Sequence, residues 1–233
     1  DVCLYIDMCT KYGSVEQQKL PSDIEVVKFP LGVWEREDKI IPLRNLFLCM
    51  VTANIVQDED IQICLGATRG DRVLDKSEAF AQQATTLLSW LWQKQWWTEG
   101  RRIEVVVPFK QYTKEDMLRM YAERGGCLEL AWEKSFSCYN PNEFGCECWE
   151  CKPCVRKCVA FWNAGFRSMS NEVLEKVWRK LDREIIPLIE SKKYGRGKKE
   201  ERGIVRAWKE MNDKLVMVKD ERVLRVAKKW RVL

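Results

Sequence analysis

The chain contains no histidine, so no imidazole is available as a metal ligand and any transition-metal site must be built from thiolates and carboxylates. No apolar run approaches the roughly 20 residues that a membrane-spanning helix needs, and no signal peptide opens the sequence. The membrane is therefore excluded from the expected partners. No internal repeat is evident. The first residue is Asp1 rather than Met, which leads us to expect further sequence upstream. The eleven cysteines are odd in number, whereas a secreted protein of this size pairs its thiols. Cys3, Cys9, Cys49, Cys64 and Cys127 stand singly, mostly in or beside apolar segments. They read as small buried hydrophobes in a reducing, cytoplasmic compartment.

What is present is a chain of 233 residues, 46% hydrophobic and 32% charged. That is enough for one sizeable domain with an appendage, or for two small domains. The net charge of +5 is unevenly placed, because residues 191–233 carry fifteen Lys/Arg against six Asp/Glu. The basic character belongs to the tail.

Four short β-rich runs, residues 2–7, 24–30, 61–67 and 103–109, read as buried strands. Helical patterns lie between them. Residues 43–56 are mostly apolar, and residues 77–97 place Phe80, Ala84, Leu87, Leu88 and Leu91 on one face. Residues 113–126 open on a Thr cap and close on glycines. Strands alternating with helices predict a three-layer α/β domain with a mostly parallel sheet. Ligands in such sheets sit beyond the carboxyl ends of the strands. Further on, Ser170 caps a helix with Leu174, Val177, Leu181 and Ile185 as its stripe. Residues 192–202 read as a breaker, with a last helix from Ile204.

Residues 136–161 hold six cysteines. Cys148, Cys151 and Cys154 form C-x-x-C-x-x-C, a spacing that lets turns deliver successive thiolates to one ion. A fourth ligand comes from Cys138, Cys146 or Cys158. Cys146 is too close in sequence to Cys148 for easy joint ligation, and Cys158 at i+4 from Cys154 can face the core. Cys138, across a loop rich in Pro, Asn and Gly, is the choice. Four thiolates leave no open position, so the expectation is structural Zn²⁺, with a redox centre or an iron–sulfur cluster as alternatives.

Ser137, Cys138 and Tyr139, followed by the three spaced cysteines and then Ala160–Phe161, resemble the 7-cyano-7-deazaguanine synthase family. Upstream stretches resemble it in the same order. These are Pro42, Arg44 and Asn45; Gly66 and Asp71 with Phe80 beyond; and Pro108, Thr113 and Lys114. Residues 4–17 are similar to the family's second strand and the helix after it. The likeness covers about the first seven-tenths of the chain.

The resemblance implies a Rossmann-like, adenine nucleotide alpha hydrolase-like sheet that adenylates a 7-carboxy-7-deazaguanine with ATP and Mg²⁺. Ammonia then gives the amide, and a second adenylation gives the nitrile. It implies catalytic roles for Lys114, Arg44 and Asp71, with Arg44, Asn45, Gly66 and Lys114 around the nucleotide. Read without it, Lys114 is a solvated first-turn lysine, Arg44 closes a helix start and Asp71 caps a turn. Three features depart from the family, one of them the segment after Phe166, which is longer than the family needs and basic. The family's Ser-Gly-Gly-x-Asp-Ser phosphate loop is not among these residues, its place being ahead of Asp1. Its arginine after the last zinc cysteine is Lys157 here, beside Arg156.

The expected organisation is an α/β domain over 1–135, a zinc segment over 136–166 and a basic helical extension over 167–233. The extension suggests a nucleic-acid or protein acceptor for the activated deazaguanine, or a zinc-stabilised module that binds nucleic acid without catalysis. A homodimer is a further expectation. Trp90, Trp92, Trp96 and Trp97 read as partly buried packing or a subunit contact, with an exposed aromatic patch as the alternative.

Overall fold

The computed structural model describes residues 2–56 and 59–229. The chain forms two compact units, Asp1–Thr113 and Lys114–Leu233.

In the first unit the β-rich runs become strands of four residues each: β1 (Leu4–Asp7), β2 (Glu25–Lys28), β3 (Ile61–Cys64) and β4 (Ile103–Val106). β1 pairs in parallel with β2, Leu4 opposite Glu25, and β3 with β4, Ile61 opposite Ile103. Parallel neighbours need a crossover. Helix α1 (Gly13–Lys19) lies in the first connection and α3 (Glu78–Leu91) in the second, while α2 (Arg44–Ile55) lies between the two pairs in sequence. Among the described residues no strand pairing joins the two pairs. The α/β class with parallel strands holds, but these residues form two pairs rather than one continuous sheet.

Ser77 caps α3, its hydroxyl accepting from Phe80 N–H at 3.1 Å. The helix buries Ala81, Ala84 and Leu88 beside Ile63, Ile103, Val105, Cys49 and Ala53. Leu87 and Leu91, expected on that face, are exposed. The helix also ends at Leu91 rather than continuing to residue 97. The chain turns back so that Arg101 N–H reaches the Trp92 carbonyl at 3.0 Å, a turn that needs Gly100 at φ +88°. The Arg101 guanidinium covers the Trp92 ring at 3.8 Å and donates to the carbonyls of Ala53 and Val56. Trp92 is thus packed as expected, whereas Trp90, Trp96 (96% exposed) and Trp97 face solvent.

The lone cysteines depart from expectation too. Cys49 is buried, but Cys3, Cys9, Cys64 and Cys127 are exposed. Paired strands this short are not covered on both faces, so alternate positions such as Cys64 and Val26 point outward.

The second unit is helical: α4 (Lys114–Glu123), α5 (Leu128–Lys134), α6 (Lys152–Asn163), α7 (Asn171–Lys180), α8 (Ile186–Glu190) and α9 (Lys198–Lys229). α5 had no counterpart in the sequence reading. Ser170 caps α7 through Val173 N–H, and Leu174, Val177, Leu181 and Ile185 are all fully buried. Between α7 and α8 the chain takes a π turn, Leu181–Ile185, just ahead of Pro187, which has no N–H to offer a regular helix. α9 starts six residues before the expected Ile204 and carries Gly203 inside it. The glycine permits close approach, since its carbonyl accepts from Asn163 Nδ2 at 2.9 Å and a Cβ there would lie 3.1 Å from Asn163 and Glu115.

Leu174 of α7 is fully buried in this core, which also includes residues of α6 and α9. Leu174→Ala should lower unfolding stability by about 2–5 kcal/mol, measured by urea denaturation with an unchanged slope.

Candidate metal centre

The cysteine segment crosses the second unit between α5 and α6. The ligand atoms of Cys138, Cys148, Cys151 and Cys154 all lie within 4.8 Å of one another. A tetrahedral ion with Zn–S bonds of about 2.3 Å would have S···S edges of about 3.8 Å, so small side-chain movements close the site. Cys146 is exposed outside the group. Cys158 faces the core instead, fully buried, with its sulfur 3.3 Å from Met169 Sδ.

Backbone geometry prepares the sulfurs for negative charge. Cys138 Sγ accepts from Asn140 N–H and Cys148 N–H, each at 3.3 Å. Cys148 Sγ accepts from Cys151 N–H at 3.3 Å. A hydrogen bond of 3.3 Å between Cys151 and Cys154 pulls the Cys151 thiol down to about 5 and pushes that of Cys154 up. Burial raises Cys138 to about 11. Metal loading must therefore expel protons, and affinity falls as pH drops.

Two contacts hold the loop. Trp149 lies in the left-handed region at φ 60°, which a bulky residue adopts only under outside constraint. The constraint is stacking on Trp132 of α5, with centroids 4.9 Å apart and planes 8° from parallel. The second is Lys157 of α6, whose side chain is 4% exposed. Its Nζ donates to Glu147 Oε2 at 2.5 Å and to the Ser135 carbonyl at 2.6 Å, under the Trp132 ring at 4.8 Å. Glu147 Oε1 in turn accepts from Ser137 N–H at 2.8 Å. Both stretches leading into the cysteines, before Cys138 and before Cys148, are tied to α6 through this one ammonium.

The remaining expected site residues divide between the units. Arg44 opens α2 after Leu43, which sits at φ 57°, and its charge reaches Glu16. Asn45 N–H donates to Asp75 Oδ2 at 3.2 Å. Its side chain is buried, 5% exposed, and its Nδ2 has no partner. Gly66, just past β3, is exposed and a Cβ there would meet nothing within 4 Å. Asp71 folds back on its own loop, its Oδ2 accepting from Thr68 N–H at 2.9 Å and lying 3.4 Å from Lys76 Nζ. Lys114, exposed, begins α4 in the second unit. Two acids escaped the sequence reading. Asp7 is buried at the carboxyl end of β1, with Oδ1 accepting from Cys9 N–H at 2.8 Å. Glu16 accepts from the Tyr5 hydroxyl at 2.7 Å. A strand closing on an acid, "LYID", was the available signal for Asp7.

Parallel β–α–β crossovers, followed by a cluster of four cysteines on a helical unit that could hold a metal ion, define the class: an α/β protein with a candidate four-thiolate metal centre. Residues 10–165 match the family model described as queuosine biosynthesis protein QueC, and the chain belongs to that family. It is 27% identical over 153 residues to the 7-cyano-7-deazaguanine synthase of Rickettsia massiliae (strain Mtu5), covering 61% of this chain and 56% of that protein. To the 7-cyano-7-deazaguanine synthase of Geobacter sp. (strain M21) it is 29% identical over 149 residues, 63% of each chain. The chain thus spans under two thirds of the length of these relatives. No solved structure matches it. Among the described residues no helix is long and apolar enough to cross a membrane.

Lys157→Met would strand the buried Glu147 carboxylate and should cost about 3–5 kcal/mol. Adding Glu147→Gln should recover part of that loss, with both read from chemical denaturation. Burial raises the Glu16 carboxyl above 4.5. The folded state therefore favours its protonated form, and this contribution to stability is lost as pH rises from 4.5 through the raised value. Glu16→Gln, unable to ionise, should flatten that part of a stability–pH profile.

Proposed function

We propose that this chain is the larger part of an ATP-dependent 7-cyano-7-deazaguanine synthase, with a structural Zn²⁺ held by Cys138, Cys148, Cys151 and Cys154. The observation that carries the reading is Asn45. A buried amide donor left without a partner costs about 1–3 kcal/mol, and a ligand oxygen at that point removes the cost. Gly66 supports it, because nothing in the chain's own packing requires glycine there, whereas close approach of a nucleotide does. Both residues fit the nucleotide that the family relationship suggests.

In this reading ATP adenylates the poorly electrophilic carboxylate of 7-carboxy-7-deazaguanine, releasing pyrophosphate. Ammonia displaces AMP to give the amide, and a second adenylation drives dehydration to the nitrile. Arg44 and Lys114 would meet phosphate charge with Mg²⁺, and Asn45 would orient the nucleotide. Asp71 shapes the Gly66 loop rather than reaching outward. Zinc, closed by four sulfurs, contributes stability and no open coordination position. The family's phosphate loop is not among residues 1–233, and this reading requires one to be supplied. Its strand, laid between β1 and β3, would complete a doubly wound order β2-β1-x-β3-β4 covered by helices on both faces.

A second reading transfers the activated deazaguanine to a nucleic-acid or protein acceptor. It is favoured by a shallow groove of about 510 Å³ along α9, lined by Lys198, Arg202, Arg206 and Lys209 together with Glu201, Ile189 and Val205, although Arg206 also pairs with Glu115. A non-catalytic nucleic-acid-binding module would use the same groove. Steep salt dependence of RNA or DNA binding supports either version.

The complete polypeptide, incubated with 7-carboxy-7-deazaguanine, ATP, Mg²⁺ and ammonium, should form amide, then nitrile, with AMP. Absence of all three rejects the reading. Cys138→Ser should reduce bound zinc, measured by mass spectrometry on the folded protein, from one per chain to well below that, and lower the unfolding midpoint.

A further inference from the structure

Helix α3 turns one side to β3, β4 and α2 and leaves the other uncovered. Residues 79–93 hold no charged side chain, although 32% of the chain is charged. The exposed positions in this run, Ala79, Gln82, Gln83, Thr86, Leu87 and Trp90, recur at helical spacing on one face. A solvated surface helix ordinarily carries its charges on such a face. A shallow concavity of about 390 Å³ lies between Gln82, Gln83, Thr86, Leu87 and Trp90, with room for a side chain from an opposing surface.

The turn just past the helix extends the apolar surface. Gln95 and Thr98 close it by backbone hydrogen bonds in both directions, at 3.0 and 3.4 Å, which puts Trp96 and Trp97 at its two central positions. Turns select Gly, Pro, Asn or Asp there, so indoles at the tip answer no local need. Trp97 is braced edge-on against Trp92, with centroids 5.1 Å apart, and Trp96 projects into solvent.

Area and chemistry name the occupant. Trp90, Trp96 and Trp97 are 61%, 96% and 48% exposed, together the area of two whole tryptophan side chains, about 500 Å². A stable interface covers about 800 Å² on each partner, and between copies of one chain about two thirds of that is apolar. The tryptophans alone supply this share. Across a two-fold axis a patch meets itself, so a lysine or glutamate at its centre would face its own like charge. Gln82, Gln83 and Thr86 avoid that conflict, because an amide or a hydroxyl both donates and accepts and can pair with its own copy.

We propose that the outward face of α3, with the Trp96–Trp97 turn, is a self-association surface on which a second copy of this chain docks around a two-fold axis, α3 against α3. The contact lies within the first unit and is independent of the reaction proposed above.

Sedimentation equilibrium of the full chain at ~20 µM should give twice the mass of one chain. Leu87→Glu and Leu87→Arg, at a half-exposed position in the middle of the face, should each raise the dimer dissociation constant about 100-fold by setting like charges against each other. Mixing these two variants in equal amounts should restore the dimer, because opposite charges then meet across the axis. Trp90→Ser adds no charge and should raise the constant about 30-fold. Circular dichroism matching the parent shows that each variant is folded. A parent that stays monomeric overturns the proposal, as does a dimer that all three variants leave intact. Leu87 variants that separate while their mixture fails to re-associate reject the pairing of α3 with itself.

Discussion

A single ammonium group, that of Lys157, ties the cysteine segment to the helical unit. A loop of this kind has little apolar surface with which to hold itself in place, and four sulfurs that carry negative charge repel one another. Lys157 answers the first problem by gripping both stretches that enter the knuckle, one through the Ser135 carbonyl and one through Glu147. It does so under the face of Trp132, where water is excluded and an ion pair is stronger but also less forgiving of a missing partner. The Trp132–Trp149 stack then fixes the one turn whose backbone is unfavourable. The thiolate cluster is thus arranged by protein contacts before any ion is considered, and a metal would add to an order that already exists.

The first unit is governed by a different shortage. Among the described residues its strands are four residues long and pair two by two, so little of that backbone is shielded by sheet on both sides. Its core is correspondingly made of small residues, Ala53, Ala81 and Ala84 with Cys49, closed by Leu88, Ile63 and Ile103. Such a unit gains much from any further parallel strand. The second unit, by contrast, contains a dense aromatic and aliphatic core built on Phe161, Trp162, Leu174, Val177, Leu181 and Met211.

Much of this was legible in the sequence because local chemistry and tertiary packing agree there. The four strand positions, the Ser77 and Ser170 caps and the Leu174–Ile185 stripe each rest on a pattern that the fold then uses. The spacing of Cys148, Cys151 and Cys154, with Cys138 as the distant partner, marks the same four residues whose sulfurs the structure brings together. Disagreement appears where a long-range contact decides. The face of α3 is set by Ala81, Ala84 and Leu88 against β3, β4 and α2, which leaves Leu87 outside, and the turn through Gly100 and Arg101 ends the helix before residue 97. The last helix was expected only from Ile204, and Gly203 lies inside it because its role, admitting Asn163, involves a residue forty positions away. Arg156 and Lys157 looked alike in sequence, and Glu147, the partner that the loop delivers to Lys157, is ten positions away. Asn45 could be placed in a motif, but its empty hydrogen bond could be seen only in three dimensions.

The π turn at Leu181–Ile185 has a bearing on everything that follows it. One surplus residue within the turn resets the angular phase of the helix, so that Ile185 and Ile186, neighbours in sequence, both point into the same interior. Chain length at this point therefore matters more than side-chain identity. Losing a residue there would rotate the stretch leading to Tyr194, a buried ring, by about 100°, carrying it off its bearing while leaving every amino acid in that stretch unchanged.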